Sequence, residues 1–264
     1  MTFHGTGTFI VGEGRVAVID PGPPDEAHLA ALLGALRGES VTHIVVTHTH
    51  RDHSPLARAL KEATGAPIVG CGRHRTPPAE GGEGADYDHA PDQVLEEGEA
   101  IAGPGWTLGA VATPGHTANH LCFAFAQQGL LFSGDVVMGW STTVVSPPDG
   151  NMAAYCASLA RLAGRAERWF LPTHGPAVTD PPSWCAALLR HRLAREAQIL
   201  GALADAPATL ATLVGRIYPD IAPNLRRPAT RSTLAHLEKL VEDGRVRGEG
   251  EAWRLRRPRP PATT

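Results

Sequence analysis

The chain has 264 residues, 42% of them hydrophobic and 19% charged, with a formal net charge of −3. That length can bury one sizeable core with a small domain beside it, and these proportions exclude a polycationic or composition-biased disordered chain. The start, Met1-Thr2-Phe3-His4-Gly5, carries no basic and apolar leader, and no apolar run approaches the roughly 18 residues of a membrane span, so a cytoplasmic protein with no membrane partner is expected.

Residues 8–11 and 16–19 are short apolar runs around Gly12-Glu13-Gly14, a β-hairpin pattern, and Asp20-Pro21-Gly22 follows as a rigid turn. Residues 25–36 space Ala27, Leu29, Leu32, Leu33 and Leu36 as a helix. A strand over 41–47, a helix over 55–64 and a strand over 66–70 complete a β-β-α-β-α-β order, an α/β pattern. Residues 71–93, rich in Gly, Pro and charge, read as a long loop. Strands resume at 106–113, 121–126 and 130–133, followed by a helix over 151–163 and a strand over 168–172. Cys71, Cys122, Cys156 and Cys185 are scattered and read as reduced packing thiols.

Beyond residue 183 the character changes. Helices are expected over 184–204, 210–217 and 228–243, and residues 244–255 alternate like a two-stranded wing, the outline of a winged helix-turn-helix. The expected domains are therefore 1–182 and 183–257, with 258–264 a disordered tail. Residues 190–264 hold 14 Lys+Arg against 8 Asp+Glu, so this end is basic while the remainder is acidic. Arg226, Arg227, Arg231, Arg245, Arg247, Arg254, Arg256 and Arg257 make nucleic acid a candidate partner for it. The alternative is that the domain walls the active-site cleft.

The stretch Thr47-His48-Thr49-His50-Arg51-Asp52-His53 sets three imidazoles and a carboxylate into one loop directly after a β-branched strand. A strand end is a rigid mount, and this donor set suits borderline divalent cations: zinc by default, with iron or manganese fitting the same ligands. Three later stretches repeat the theme: Thr113-Pro114-Gly115-His116, Ser133-Gly134-Asp135 and Pro172-Thr173-His174-Gly175.

Taken in this order, His48 to His53, His116, Asp135 and His174 resemble the metallo-β-lactamase superfamily across nearly all of residues 1–180. The resemblance implies an αββα sandwich followed by the winged-helix-like domain, and a two-metal site. His48, His50 and His116 would hold one divalent ion. Asp52, His53 and His174 would hold the second, with Asp135 bridging. Asp52 and the ions would hold the attacking hydroxide, making Asp52 the catalytic residue. Asp20 matches an early Asp that supports such ligands by hydrogen bonding. His120, four residues after His116, is expected behind the ligands or facing substrate.

The stretch from Gly139 to Met152, together with the C-terminal domain, is similar to the branch named after β-lactamase-like protein 2, whose animal member cleaves single-stranded RNA. Ser141 and Thr142 would then line the substrate pocket. Fold alone does not choose a substrate. The expected activity is a metal-dependent hydrolase, an endoribonuclease-like phosphodiesterase acting on single-stranded RNA. Hydrolysis of a small thioester or lactone, as in glyoxalase II, is the alternative. A winged-helix nucleic-acid binder with a vestigial site is the reading from outside enzymology.

Overall fold

The structure is a computed structural model and describes residues 4–78 and 84–256, so the tail expected at 258–264 lies outside the described residues. Two five-stranded sheets face each other. In the first, β1 (Phe9–Val11) and β2 (Arg15–Ile19) form the expected hairpin. From β2 the chain makes two helical crossovers, through α1 (Glu26–Ala35) to β3 (Ser40–Val46) and through α2 (Leu56–Thr64) to β4 (Ile68–Gly70), so these strands are parallel. The long loop then ends in β5 (Gln93–Val94) at the sheet edge, giving the order β1-β2-β3-β4-β5.

The second sheet contains β6 (Ala100–Gly103), β7 (Trp106–Ala112), β8 (Leu121–Phe125) and β9 (Leu130–Gly134), all antiparallel neighbours. Through α3 (Met152–Ala163) the chain returns to β10 (Trp169–Pro172), which pairs parallel with β9. Between the sheets lies one core of inward-facing residues, among them Val16, Val18 and Ile44 from one side and Leu108, Phe123 and Phe132 from the other. At about 1.5–3 kcal/mol for each large apolar side chain fully buried, this layer fixes the sandwich. The Trp106 indole spans it and donates to the Arg15 carbonyl at 2.9 Å.

The helix α4 (Pro181–Ala202) starts at an Asp180 cap, whose carboxylate accepts from the Ser183 backbone. Its first half packs Cys185 and Leu188 against Tyr155, Leu159 and Leu162, all on α3. At the other end, Ile199 enters a separate core with Leu203, Leu213, Leu237, Leu240 and Val246. That smaller core joins α5 (Leu210–Ile217) and α6 (Pro223–Glu242) to a three-stranded sheet of β11 (Ala208–Thr209), β12 (Val246–Glu249) and β13 (Ala252–Leu255). One helix thus belongs to both hydrophobic clusters.

Three short strands, β5, β6 and β11, were not anticipated, and α6 starts five residues before the expected 228. Pro228 reads as a first-turn proline, but Pro223 occupies that position and Pro228 is tolerated further in. All four cysteines are free and buried, as expected of packing thiols. No helix among the described residues is long and apolar enough to cross a membrane.

Candidate metal centre

Each functional side chain leaves the end of a strand at one rim of the sandwich. His48, His50, Asp52 and His53 follow β3, His116 follows β7, Asp135 follows β9 and His174 follows β10. Two glycines permit this geometry. Gly134 has φ +51°, and a Cβ there would lie 2.7 Å from the His120 ring, so the turn that presents Asp135 requires glycine. Gly115 has φ +136°, and its Cβ would lie 2.3 Å from the Tyr155 backbone, which lets the loop carrying His116 seat directly on α3.

The donors converge in overlapping groups. Ligand atoms of His48, His50 and His116 all lie within 4.8 Å of one another, as do those of His48, His53 and Asp135, and those of Asp52, His53 and His174. In the first group His50 Nδ1 stands 3.1 Å from His48 Nε2 and 3.0 Å from His116 Nε2. In the last, His174 Nε2 stands 3.2 Å from Asp52 Oδ2, and His53 Nε2 stands 3.6 Å from Asp52 Oδ1. Asp135 lies between them: one oxygen is 3.7 Å from His116 Nε2 and 3.4 Å from His174 Nε2, the other 3.6 Å from His53 Nε2.

The far side of four imidazoles fixes which nitrogen faces inward. Asp20 accepts from the Thr47 amide at 2.8 Å and the Thr47 hydroxyl at 2.7 Å, and it faces His53 Nδ1 at 3.0 Å. With its proton committed to Asp20, the Thr47 hydroxyl is left to accept from His48 Nδ1, 3.0 Å away. The His116 Nδ1–H donates to the Val144 carbonyl at 2.7 Å, and His174 Nδ1–H to the Gly5 carbonyl at 3.0 Å. In the neutral ring each bond places the proton on Nδ1 and turns Nε2 toward the centre as a lone-pair donor, the tautomer that a cation needs.

Electrostatics divide the site. Burial and neighbouring imidazoles push His48 and His50 well below the ordinary histidine value. Burial also opposes charge on His53 and His174, but Asp135 overrides it with Asp20 at the one and Asp52 at the other, lifting His174 to about 10. In turn, burial opposes ionisation of Asp52 and Asp135, yet the charge of His53 and the charge and hydrogen bonding of His174 outweigh it and hold both carboxyls below their usual range. Without a cation, protons held on His53 and His174 balance these carboxylates. A divalent ion would displace them, so binding should release protons.

The residues present fit divalent cations. His53 Nε2 and Asp135 Oδ1 are buried with no hydrogen-bond partner among the described residues, an expense that a metal would remove. Nitrogen and carboxylate donors in three overlapping groups suit a dinuclear site, and zinc, iron and manganese all accept such donors.

Of the supporting residues expected, Asp20 stands behind His53 and Thr47 as described. His120 does not reach the cleft: its Nδ1 lies 2.8 Å from the Thr113 hydroxyl, and its Nε2 accepts from the Asp135 amide at 3.1 Å. Burial lowers its pKa to about 3, so it stays neutral and acts as a backbone anchor for Asp135. Ser141 and Thr142 do line the cleft, which has a volume of about 700 Å³. Its floor includes His50, Asp52, His116, Asp135 and His174, and its walls include Pro23, Met138, Trp140 and Val144. From α6, Arg227, Pro228 and Arg231 line the same cleft, which is the arrangement of the alternative in which the C-terminal domain walls it. The carbonyls of Gly5 and Val144 that orient two histidines were missed, since backbone partners leave no mark in side-chain pattern.

Residues 2–193 match the family described as the metallo-beta-lactamase superfamily. The chain belongs to this superfamily. Residues 209–253 match a beta-lactamase-associated winged helix domain, so the superfamily fold here carries the C-terminal extension expected from sequence. The chain is 30% identical to an atrochrysone carboxyl ACP thioesterase of Pseudocercospora fijiensis, over 96% of this chain and 75% of that protein. It is 28% identical to a beta-lactamase-like protein 2 homolog of Caenorhabditis elegans, over 93% and 81%. A solved metallo-beta-lactamase family protein of Thermus thermophilus superposes with a TM-score of 0.77 at 27% identity, covering 95% of this chain and 94% of that one. Superfamily membership, the sandwich and the donor clusters together make the protein a candidate metal-dependent hydrolase.

Proposed function

We propose that this chain is a dinuclear metallohydrolase of thioesters. His48, His50 and His116 hold one cation, Asp52, His53 and His174 the other, and Asp135 lies between them. Zinc is the first choice for both. Two divalent ions there would supply Lewis acidity toward a carbonyl and a water ionisable near neutral pH. Asp52 is the catalytic side chain: it is the more exposed of the two carboxylates, lies on the cleft floor, and remains ionised to orient the attacking water and receive its proton. Asp20 and His120 position His53 and Asp135 without touching substrate.

The observation that carries this reading is the cleft itself. Its walls present Pro23, Pro24, Met138, Trp140, Val144 and Pro228 to whatever lies over the donors, surfaces suited to an acyl chain. A relative named as a thioesterase at 30% identity supports the same choice over a phosphodiesterase. The winged-helix surface favours duplex recognition less. The helix that would enter a major groove is α6, and its Ala229, Ser232, Thr233, Ala235 and His236 are buried.

Acyl-thioesters and single-stranded RNA should be assayed side by side on protein of measured metal content, for wild type and Asp52→Ala. The expected result is thioester turnover that falls by about a hundredfold or more in the variant. RNA cleavage lost in Asp52→Ala, with no thioester turned over, would overturn the assignment in favour of the nuclease.

A further inference from the structure

Away from the donors, every charged side chain lining the cleft among the described residues is an arginine: Arg51, Arg227 and Arg231. Among the described residues, the carboxylates in the lining are Asp52 and Asp135, which belong to the donor clusters. Arg227 and Arg231 are four residues apart on α6, so they rise from one face of the helix. Arg231 is also held in place, since its Nε donates to the Ser146 hydroxyl at 2.9 Å, a residue that lines the same cleft. A guanidinium fixed through Nε still presents its two terminal nitrogens as a fork, the geometry that matches phosphate and carboxylate. The Arg51 Nε similarly donates to the Ala85 carbonyl at 3.3 Å.

We propose that α6 forms an anion site in the cleft, where Arg227 and Arg231 bind a phosphate or carboxylate on the thiol half of the thioester while its carbonyl lies over the donor clusters. This rests on the thioester reading for the identity of the substrate, but the anion site can be tested without turnover. The substrate class is thus an acyl group on a thiol arm that ends in negative charge. The C-terminal domain then selects the arm, and the sandwich performs the chemistry.

Calorimetric titration of the metal-loaded protein with pantetheine 4′-phosphate, pantetheine and glutathione separates the sources of charge. The first two carry the same thiol, so any contact with the metals cancels between them. Wild type should bind pantetheine 4′-phosphate about tenfold or more tighter than pantetheine. In Arg227→Gln/Arg231→Gln the gap should close to about twofold or less, and Arg231→Lys, which keeps the charge but not the fork, should fall between. A loss confined to glutathione would identify the anion as a carboxylate. An unchanged gap together with unchanged glutathione affinity in the double variant, with the variant folded by circular dichroism, would overturn the anion site whatever the activity. Loss of single-stranded oligonucleotide binding in the same variants, with no pantetheine preference, would overturn the thiol arm and return these arginines to nucleic acid. If no thioester is hydrolysed yet the phosphate preference disappears with the arginines, the anion site stands and the thioesterase reading falls.

Discussion

The floor and the α6 wall of the cleft are built on different principles. The floor is made by strand ends from both sheets, and four of its histidines are tied from behind by an acceptor: Asp20, Thr47, the Val144 carbonyl or the Gly5 carbonyl. The α6 wall is one helix from the basic end of the chain, joined to the sandwich by a few polar contacts and by Ala235. A two-cation site tolerates little displacement of its donors, so rigidity is concentrated at the floor. A wall that selects a ligand, as proposed for α6, tolerates more.

The largest expected effect that separates the two regions is on Asp20. It adopts φ +47°, a conformation that asparagine shares but most residues avoid, so Asp20→Asn keeps the backbone while removing the negative charge behind His53. Metal affinity should fall by about 10–100-fold, while affinity for an anionic ligand at α6 changes only as far as metal occupancy does. Competitive titration against a chromogenic chelator measures this. Unaltered affinity would mean that His53 is held by packing alone and that the floor needs no charged support.

The same contrast explains what the sequence made legible. The floor could be read because its donors fall immediately after apolar strands and because four of them share six consecutive positions, His48 to His53. The wall could not. Arg227 reaches the cleft only because α6 starts at Pro223, and a proline at 228 reads locally as a helix start. Nothing in the arginine pattern separates Arg227 and Arg231, which line the cleft, from Arg254, which pairs with Glu249 on the wing. The strands β5, β6 and β11 are two to four residues long and lie at sheet edges, too short for alternation to stand out. For His120 the sequence left two places open, behind the ligands or facing substrate, because spacing alone does not show that its imidazole accepts from the Asp135 amide.

A middle-sized effect tests how the two regions are joined. Arg192 on α4 is buried; its guanidinium donates to the Thr143 carbonyl in the cleft wall and, at 3.2 Å, to Ser232 on α6, while lying over the Tyr155 ring. Arg192→Met fills part of the volume but leaves the Thr143 carbonyl unsatisfied, at a cost of about 2 kcal/mol. The melting temperature should drop by about 4–8 °C and KM should rise, with metal content unchanged. If metal content falls in step with stability, the wall and floor are one cooperative unit and the division drawn between them is wrong.

The smallest effect concerns proton uptake where α6 meets α4. His236 is about 1% exposed, and neither ring nitrogen has a hydrogen-bond partner among the described residues. Glu196 Oε1 is 3.5 Å from its Nδ1, too far for a good hydrogen bond, and burial therefore wins and lowers the His236 pKa. A histidine whose folded pKa lies below its unfolded value stabilises the fold fully above about pH 6.5 and loses that contribution as pH falls. Glu196 is different: burial opposes its charge, but His236 and Lys239 outweigh it and hold its pKa below the usual 4.5, so its contribution fades only under more acidic conditions. Between pH 6.5 and 4.5 the two can thus be told apart. His236→Leu should lose less stability than wild type on acidification in this window, by at most about 1.4 kcal/mol per pH unit, measured as urea midpoints at fixed metal concentration. Comparing the two proteins cancels the protonation of the floor histidines, which is common to both. Parallel curves would mean that the protonated ring is accommodated by Glu196 after all. The contact between α6 and α4 would then be an ion pair at acid pH, and lowering the pH would leave the wall as firmly held as before.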